Sequence, residues 1–344
     1  MKDLSFAARI ENWYKQNGRD LPWRHTRDAY RIWLSEVILQ QTRVEQGRDY
    51  WHRFIERFPT VEHLALAEED EVMRLWQGLG YYSRARNLHR AAKQIAEKGQ
   101  FPRTYDELIT LPGVGKYTAA AIASFAYDEA HAVLDGNVYR VLARYEANTT
   151  PIDTPAGMRE FSAIAQMHLD EHNPALYNQA IMDFGAMVCK PQAPLCTQCP
   201  LSDTCMALFI HQVDKLPIKQ HNIKLTERYL TFVCIRRKSD ERFLMQKRHK
   251  GDIYRGLYQF PVIESLKSLT PVEVERQMPP GSLTLLEAGV SHRLTHRMLH
   301  LDFYECLTDT PFHEPKGIWM SADEVDACAL PRPLEAIWKK IRSR

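Results

Sequence analysis

The sequence predicts two domains of different class, an all-α region over residues 1–210 and an α+β domain over residues 229–344. Before residue 210, short helical patterns alternate with proline- and glycine-containing turns, and no run alternates apolar and polar residues as a strand would. A polar, basic linker follows at 211–228, and the stretch 229–235 is rich in β-branched and aromatic residues. A chain of 344 residues, 44% of them hydrophobic, is long enough to form two separate cores.

The composition argues against several classes of protein. Residues 1–15 form an amphipathic pattern without a long apolar run, so we expect neither a secretion signal nor a membrane span. Four of the seven cysteines cluster, which is not the pattern of a disulfide framework, and we expect a reducing, cytoplasmic compartment. The net charge of +2 neither supports nor excludes nucleic acid as a partner, so any basic surface must be local.

A helix is predicted over residues 33–43, and it carries Glu36. With 3.6 residues per turn, the neighbours of Glu36 on its face include Ile32 and Leu39. Burial among apolar side chains would raise the pKa of the carboxyl group and let it hold a proton near neutral pH. Alternatively, the side chain reaches the rim of the helix or pairs with Arg43.

Two polar segments could contact a stack of bases. Gln41 and Thr42 end the predicted helix, where their side chains could either enter the stack or cap the helix. In the loop 75–86, two glycines precede adjacent tyrosines and two arginines, one of them Arg84, a combination that suits base stacking and phosphate contact. Core packing could equally account for one of the tyrosines, and Tyr81 is the expected stacking residue.

Residues 111–118, LPGVGKYT, predict a tight turn followed by a helix. Gly113 and Gly115 let the backbone come close to a partner, and the free N–H groups at the start of the helix suit a phosphate. An ordinary corner between two helices is the alternative. Asp135 follows twenty residues after Gly115 on a second turn, where it can cap the next helix and remain ionised.

These segments together resemble a known family of DNA repair enzymes. The turn LPGVGKYT is similar to the helix-hairpin-helix of the DNA glycosylase superfamily, which has a catalytic aspartate where this chain has Asp135. The segment SEVILQQTRV at 35–44 resembles the adenine glycosylase (MutY) family, whose general acid corresponds to Glu36. The resemblance further implies that Gln41 inserts beside the lesion base and that Tyr81 wedges into the minor groove.

The same resemblance implies roles for other residues around the base. Tyr117 and Asn137 are expected to position Asp135 and the sugar. Trp23 and Arg24 would wall the base pocket. Gln179 lies in a segment, 177–185, that again follows the family, and it would face the adenine, although packing at the rim of the core is an equal alternative.

Tyr117 predicts an enzyme that does not cut the DNA strand. Superfamily members that resemble endonuclease III carry a Schiff-base lysine at this place, whereas here the lysine is Lys116, one residue earlier. One residue rotates a side chain by about 100° around a helix, so this amine should not reach the same sugar carbon. We therefore expect a monofunctional glycosylase.

Four cysteines, Cys189, Cys196, Cys199 and Cys205, have the spacing C-x6-C-x2-C-x5-C. Four thiolates on one loop would repel each other unless a metal took up their charge. Zinc is one candidate, because it binds four thiolates well. The uneven spacing instead resembles the 4Fe-4S loop of the endonuclease III and MutY families, which predicts an iron–sulfur cluster as the cofactor.

The second domain resembles a Nudix fold around GLYQFP at 256–261. It lacks the REx2EE helix that holds magnesium in Nudix hydrolases, which predicts a recognition domain without hydrolase activity. The segment VSHRLTH at 290–296 resembles the part of MutY domains that reads 8-oxoguanine, so Ser291 and His292 are expected to contact that base. Val290 stands where the family usually has phenylalanine, so the resemblance does not carry over a stacking contribution at that position.

The resemblance extends over nearly the whole chain. It implies a monomeric base excision repair enzyme, associated with the nucleoid, that hydrolyses the N-glycosidic bond of adenine opposite 8-oxoguanine or guanine in duplex DNA. Within residues 1–210, a six-helix domain at 28–130 and a cluster domain of 1–27 and 131–210 are expected. Two alternatives remain open: an endonuclease III-like glycosylase and lyase acting on oxidised pyrimidines, and a DNA-structure binder with a zinc loop.

Overall fold

The computed structural model describes residues 4–221, 225–248, 253–310 and 317–343. Contacts within the chain divide it into two compact units, one of Met1–Leu66 and Asn87–Asn222 and the other of Ala67–Arg86 and Ile223–Arg344. Residues 67–86 therefore group with the second unit, although the sequence suggested a continuous first domain. Among the described residues, no helix has both the length and the apolar character needed to cross a membrane.

The first unit is built from helices. The helices up to residue 209 are α1 (Phe6–Asn17), α2 (Ala29–Leu39), α3 (Val44–Arg57), α4 (Val61–Leu66), α5 (Glu69–Trp76), α6 (Ser83–Lys98), α7 (Tyr105–Leu108), α8 (Lys116–Tyr127), α9 (Gly136–Tyr145), α10 (Pro155–His168), α11 (Pro174–Met187) and α12 (Met206–Phe209). Helix α5 belongs to the second unit, and α6 begins there and ends in the first. Short 3-10 turns form at Pro22–Arg24, Cys196–Gln198 and Val213–Lys215.

Helix α2 differs at both ends from the helix predicted over residues 33–43. It begins at Ala29 because the Asp28 side chain caps it, accepting hydrogen bonds from two backbone N–H groups. It ends at Leu39, and the left-handed backbone of Gln41, with φ of 58°, prevents its continuation. Nine of its eleven residues are buried, so Glu36 lies on a core helix. Helix α2 packs on α8, and α8 packs on α11.

The second unit contains a mixed sheet. Within the described residues its seven strands are β1 (Thr226–Arg237), β2 (Phe243–Lys247), β3 (Tyr258–Gln259), β4 (Val262–Ser265), β5 (Ser282–Arg293), β6 (Arg297–Thr308) and β7 (Gly317–Met320). The main path is β3-β2-β1-β6-β5, while β4 also pairs with β1 and β7 with β2. Strands β1 and β6 are parallel, and the other pairs are antiparallel.

Helices pack on both faces of this sheet. Helices α14 (Ala322–Ala327) and α15 (Arg332–Arg342) cover one face, and α13 (Pro271–Glu275) packs on the other through Val274. Trp338 of α15 packs edge-on against Phe243 of β2, with ring centroids 4.8 Å apart. Strand β1 begins at Thr226, three residues before the predicted start of the second domain, whereas residues 222–224 of the predicted linker lie outside the described residues.

Glu11 on α1 makes the stability of the first unit depend on pH. Burial, together with the nearby Asp170, raises the pKa of Glu11 from 4.5 to about 7. The folded state therefore favours the neutral carboxyl group. The resulting stabilisation is complete below pH 4.5 and is lost as the pH rises through about 7.

We expect Glu11→Gln, which stays neutral at every pH, to raise the thermal unfolding midpoint at pH 8 by a few degrees and to change it little at pH 5. Each kcal/mol moves the midpoint by about 2–4 °C in a domain of 150–250 residues. Thermal unfolding at both pH values measures the effect, with the exposed Glu56→Gln as the control. An equal gain at pH 5 and pH 8 would show that titration of Glu11 is not the cause.

Candidate active site

One cavity in the first unit brings together eight of the predicted site residues. Its volume is about 220 Å³, and a cavity of about 150 Å³ already admits a benzene ring, so there is room for a nucleobase. Helices α2, α8 and α11 and the 3-10 turn at Pro22–Arg24 form its walls, and the start of α9 closes one side. The predicted residues that line it are Trp23, Arg24, Glu36, Thr42, Tyr117, Asp135, Asn137 and Gln179.

Glu36 is buried at the wall of this cavity, with 7% of its surface exposed. Burial raises the pKa of Glu36 to about 7, even though a hydrogen bond from Tyr117 and the charge of Arg24 oppose the shift. The hydroxyl of Tyr117 donates to Oε2 of Glu36 at 2.8 Å. Glu36 can therefore carry a proton near neutral pH, as its apolar neighbours predicted.

The hydrogen bond of Tyr117 corrects one expectation from the sequence. Tyr117 was expected to position Asp135, but its hydroxyl contacts Glu36 and, at 3.2 Å, the Sδ atom of Met182. Pairing of Glu36 with Arg43 was the other expectation from the sequence. Arg43 instead stands at the start of α3, beyond the end of the helix that carries Glu36. Periodicity along one helix cannot identify a partner that comes from another helix.

Asp135 caps α9 and also lines the cavity. Its Oδ1 accepts hydrogen bonds from the backbone N–H groups of Asn137 and Val138 at 2.9 and 2.8 Å, and its Oδ2 accepts from Nδ2 of Asn137 at 2.9 Å. Burial raises the pKa of Asp135, while these three donors and the charge of Arg140 act in the other direction. The helix N-terminus further favours the ionised carboxylate.

A buried ion-pair network beside the cavity was missed by sequence reasoning. Asp183 of α11 is fully buried, and Arg24 donates to both of its carboxylate oxygens, at 2.7 and 2.8 Å. Nε of Arg19 also donates to it, at 2.9 Å. Burial acts to raise the pKa of Asp183, but the hydrogen bonds from the two arginines lower it. One indication of this position was present in the sequence: Asp183 follows Gln179 by four residues, so the two side chains lie on the same helix face.

Arg140 was also missed, and it ties Asn137 to the end of α11. Its guanidinium donates to Oδ1 of Asn137 at 2.8 Å and to the backbone carbonyls of Gly185 and Cys189, both at 2.7 Å. Asn137 is thereby held on one side by Arg140 and on the other by Asp135. The position of Arg140, three residues after Asn137 on α9, was the only hint in the sequence.

The two hairpin glycines lie outside the cavity. Gly113 has φ of 79°, and a Cβ atom there would lie 2.7 Å from Cβ of Asn87, so glycine is required for both reasons. Gly115 caps the start of α8 and has no side chain to occupy the N–H groups of the first turn. The expected phosphate contact would therefore be made by the backbone N–H groups at the start of α8.

Both residues expected to enter the base stack have a left-handed backbone. Gln41 has φ of 58° and is exposed, and Tyr81 has φ of 46° with half of its surface exposed. Such conformations cost about 1–3 kcal/mol in residues other than glycine and are frequent at functional sites. The hydroxyl of Tyr81 lies 2.9 Å from the hydroxyl of Thr295.

Arg84 does not lie where a phosphate contact requires it. It is buried, and burial lowers its pKa to about 10. Its guanidinium lies 5.0 Å from the centre of the Trp76 ring and donates to the carbonyls of Leu79 and Gly80. Arg84 thus holds the loop before α6, and the prediction of an exposed, phosphate-binding side chain is wrong for this structure.

Ser291 and His292 lie near the end of β5, where the strand pairs with β6. His292 lines a second, larger cavity of about 900 Å³ within the second unit. Burial and the charge of Arg332 lower the pKa of His292, so its ring is neutral near pH 7 and can both donate and accept a hydrogen bond. Five arginines also line this cavity: Arg86, Arg255, Arg293, Arg297 and Arg332.

The four clustered cysteines line one small cavity of about 30 Å³ together with Arg144. All are free thiols. Burial raises the pKa of Cys199 to about 12, and the other three thiolates add to the shift. Four charges here would need a compensating cation, which fits a metal-bound set of thiolates. Among the described residues, no group of three or more His, Cys, Asp or Glu side chains is arranged as ligands of a metal ion.

Two family models match the chain. The model of the HhH-GPD superfamily base excision DNA repair protein matches residues 34–166, and the NUDIX domain model matches residues 232–340. A solved structure of a thermostable thymine-DNA glycosylase superposes with a TM-score of 0.56 at 28% identity, covering 60% of this chain and 95% of that one. The predicted succession of a helical glycosylase domain and a Nudix-like domain is confirmed.

Curated relatives match this chain over nearly its full length or over part of it. An adenine DNA glycosylase of Buchnera aphidicola subsp. Acyrthosiphon pisum (strain APS) is 32% identical over 353 residues, covering 99% of this chain and 99% of the relative. The adenine DNA glycosylase of Mus musculus is 45% identical over 215 residues, covering 59% of this chain and 42% of the relative. With both domains matched in order and a relative that aligns from end to end, the chain belongs to the adenine DNA glycosylase family, enzymes of base excision repair that hydrolyse N-glycosidic bonds.

Proposed function

We propose that this enzyme removes adenine paired with 8-oxoguanine or guanine from duplex DNA, with Glu36 as the general acid and Asp135 as the stabiliser of the sugar cation. The observation that carries the proposal is that two carboxyl groups in different environments line one cavity of nucleobase size. Glu36 has one hydrogen-bond donor and a pKa of about 7, whereas Asp135 has three donors and a helix N-terminus. Such a contrast separates an acid from a carboxylate that stays charged.

The reaction begins with a flipped base, because a base inside the duplex cannot be reached. Gln41 and the Tyr81 loop would hold the gap left in the stack. Glu36 transfers its proton to N7 of the adenine, and the bond between N9 and the sugar then breaks with its electron pair going to the base. Neutral adenine leaves, and the sugar is left as an oxocarbenium-like cation.

Asp135 is the group that faces this cation. Its negative charge stabilises the cation electrostatically or captures it briefly before water attacks. Water then adds to the sugar carbon and loses a proton, leaving an abasic site and an uncut strand. Asn137, which holds Asp135 through two hydrogen bonds, keeps the carboxylate in place. With Tyr117 at the hairpin position and bonded to Glu36, we propose a monofunctional enzyme that acts as a monomer.

Two further parts of the chain would support recognition of the damaged duplex. Ser291 and His292 would read 8-oxoguanine, whose N7–H and C8 carbonyl differ from the groups of guanine. Cys189, Cys196, Cys199 and Cys205 would hold a 4Fe-4S cluster, which supplies a compact cationic core that shapes the loop. The bonds from Arg144 to the carbonyls of Lys190 and Pro191 support the same loop from α9.

Release of adenine under single-turnover conditions tests this function. The substrates are duplexes with one adenine opposite 8-oxoguanine, guanine or thymine, and strand nicks are counted before and after alkali. We expect fastest release opposite 8-oxoguanine and nicks only after alkali. Nicks before alkali would reject the monofunctional mechanism, and equal release opposite thymine would reject the recognition role of the second domain.

The rate of adenine release should fall as the pH rises through about 7. Glu36 acts in its protonated form, and its pKa of about 7 means that each further pH unit removes about nine-tenths of that form. On the acid side, the rate should fall when Asp135 becomes protonated, at a pH above the usual range for aspartate because burial raises its pKa. Single-turnover rates from pH 5 to 9 on the 8-oxoguanine duplex measure both limbs. A rate that stays constant from pH 7 to 9 would contradict the role of Glu36.

A further inference from the structure

Tyr14 of α1 lies behind the wall of the base cavity and contacts Gln179 of α11. The hydroxyl of Tyr14 and Oε1 of Gln179 are 3.0 Å apart, and Gln179 lines the cavity while Tyr14 does not. None of the described residues accepts a hydrogen bond from Nε2 of Gln179. The oxygen of the amide is thus turned toward Tyr14, and its NH₂ group is left on the cavity side.

The hydroxyl of Tyr14 is the donor in this hydrogen bond. An amide oxygen can only accept, so the single proton of the phenol goes to Oε1 of Gln179. The guanidinium of Arg24 lies 5.5 Å from the centre of the Tyr14 ring and makes a cation–π contact with it. Burial raises the pKa of Tyr14, which keeps this proton in place.

Arg24 itself cannot move away easily, because Asp183 binds both of its terminal nitrogens. The chain Asp183, Arg24, Tyr14 and Gln179 therefore runs from a fully buried carboxylate to the cavity wall. Without the hydroxyl of Tyr14, the two ends of the Gln179 amide would be nearly equivalent in this position.

We infer that Tyr14 is a positioning residue that makes Gln179 a hydrogen-bond donor to the flipped adenine. Adenine offers three ring nitrogens as acceptors, and in the proposed mechanism N7 receives the proton of Glu36. The NH₂ group of Gln179 would then contact N1 or N3. A base that presents a donor at that atom would leave two donors facing each other, so this contact adds to the selection of adenine. The inference rests on the function proposed above.

The test uses duplexes in which 1-deazaadenine or 3-deazaadenine replaces adenine opposite 8-oxoguanine, since each analogue lacks one acceptor nitrogen. The variants are Tyr14→Phe, Gln179→Leu and, as the matched control, Tyr145→Phe, which removes a hydroxyl that does not line the cavity. Single-turnover rates are expressed as the ratio of adenine to analogue for each protein. Dividing the wild-type ratio by the variant ratio removes the intrinsic difference in bond strength between the bases.

We expect the wild type and Tyr145→Phe to show an extra loss of about 3–10-fold for one of the two analogues, the effect of one hydrogen bond. Tyr14→Phe and Gln179→Leu should lose this extra discrimination while their thermal midpoints stay close to that of the wild type. The ring of Tyr14 remains over Arg24 in Tyr14→Phe, and Gln179→Leu tests the donor without altering Tyr14.

Three results would overturn the inference. Tyr14→Phe could keep the wild-type discrimination, which would mean that Gln179 is oriented without the phenol. Gln179→Leu could keep it, which would mean that another group contacts the base. A wild type that releases no adenine from any duplex would instead contradict the proposed function, and this inference with it.

Discussion

Replacing Glu36 with glutamine should slow adenine release by about 10²–10⁴-fold, the usual contribution of a general acid. Glutamine keeps the shape of the side chain and can still accept the hydrogen bond of Tyr117, but it has no acidic proton to give to the base. Single-turnover release from the 8-oxoguanine duplex measures the loss. Binding of the same duplex, measured in parallel, should change little because the flipped base still fits the cavity.

The stability of the Glu36→Gln variant gives an independent check. The folded-state pKa of Glu36, about 7, lies above the ordinary value of 4.5. The stabilisation of the folded state by the protonated Glu36 is therefore lost as the pH rises through 7. The variant should therefore unfold at a higher temperature than the wild type at pH 8. Glu56→Gln, an exposed substitution on α3, should change neither rate nor stability. A stable Glu36→Gln variant that releases adenine at the normal rate would remove Glu36 from the mechanism.

Replacing Asp135 with asparagine should slow adenine release by about 10²–10³-fold, because the charge that faces the sugar cation is gone. Asparagine is as good an N-cap as aspartate, so α9 should keep its start. The fall in rate should therefore come without a large fall in thermal stability.

Asp135→Ala separates the two roles of this residue. It removes the charge and also the cap, and loss of a cap costs about 0.5–2 kcal/mol. We expect Asp135→Ala to be as slow as Asp135→Asn but less stable, as measured by thermal unfolding. If Asp135→Asn were as active as the wild type while Asp135→Ala was impaired, the aspartate would be a structural cap alone.

Local patterns in the sequence predict those features that depend on neighbours along the chain. The burial of Glu36 follows from apolar residues on its own helix face, and the cap at Asp135 follows from a turn that precedes a helix. The cysteine spacing likewise brings Cys189 and Cys205 to one small cavity. These are interactions over a few residues, where helix and turn geometry set the distances.

Contacts between distant segments could not be predicted in this way. The partners of Asp183 lie 159 and 164 residues away in the sequence, and the partner of Tyr117 lies 81 residues away. No periodicity connects such positions. The parallel pairing of β1 with β6 is equally non-local. The sequence indicates where strands form, but it does not show which strands pair with each other. The left-handed backbone of Gln41 also has no local signal, because it is not a glycine.

The measurement that tests the two-carboxylate mechanism most directly is single-turnover release of 7-deazaadenine opposite 8-oxoguanine. This base has carbon in place of N7 and cannot receive the proton of Glu36. The mechanism predicts that the enzyme binds this duplex nearly as well as the adenine duplex and releases the base at least about 10²-fold more slowly. Release at nearly the adenine rate would contradict proton transfer from Glu36 to N7, and with it the central role of the buried glutamate.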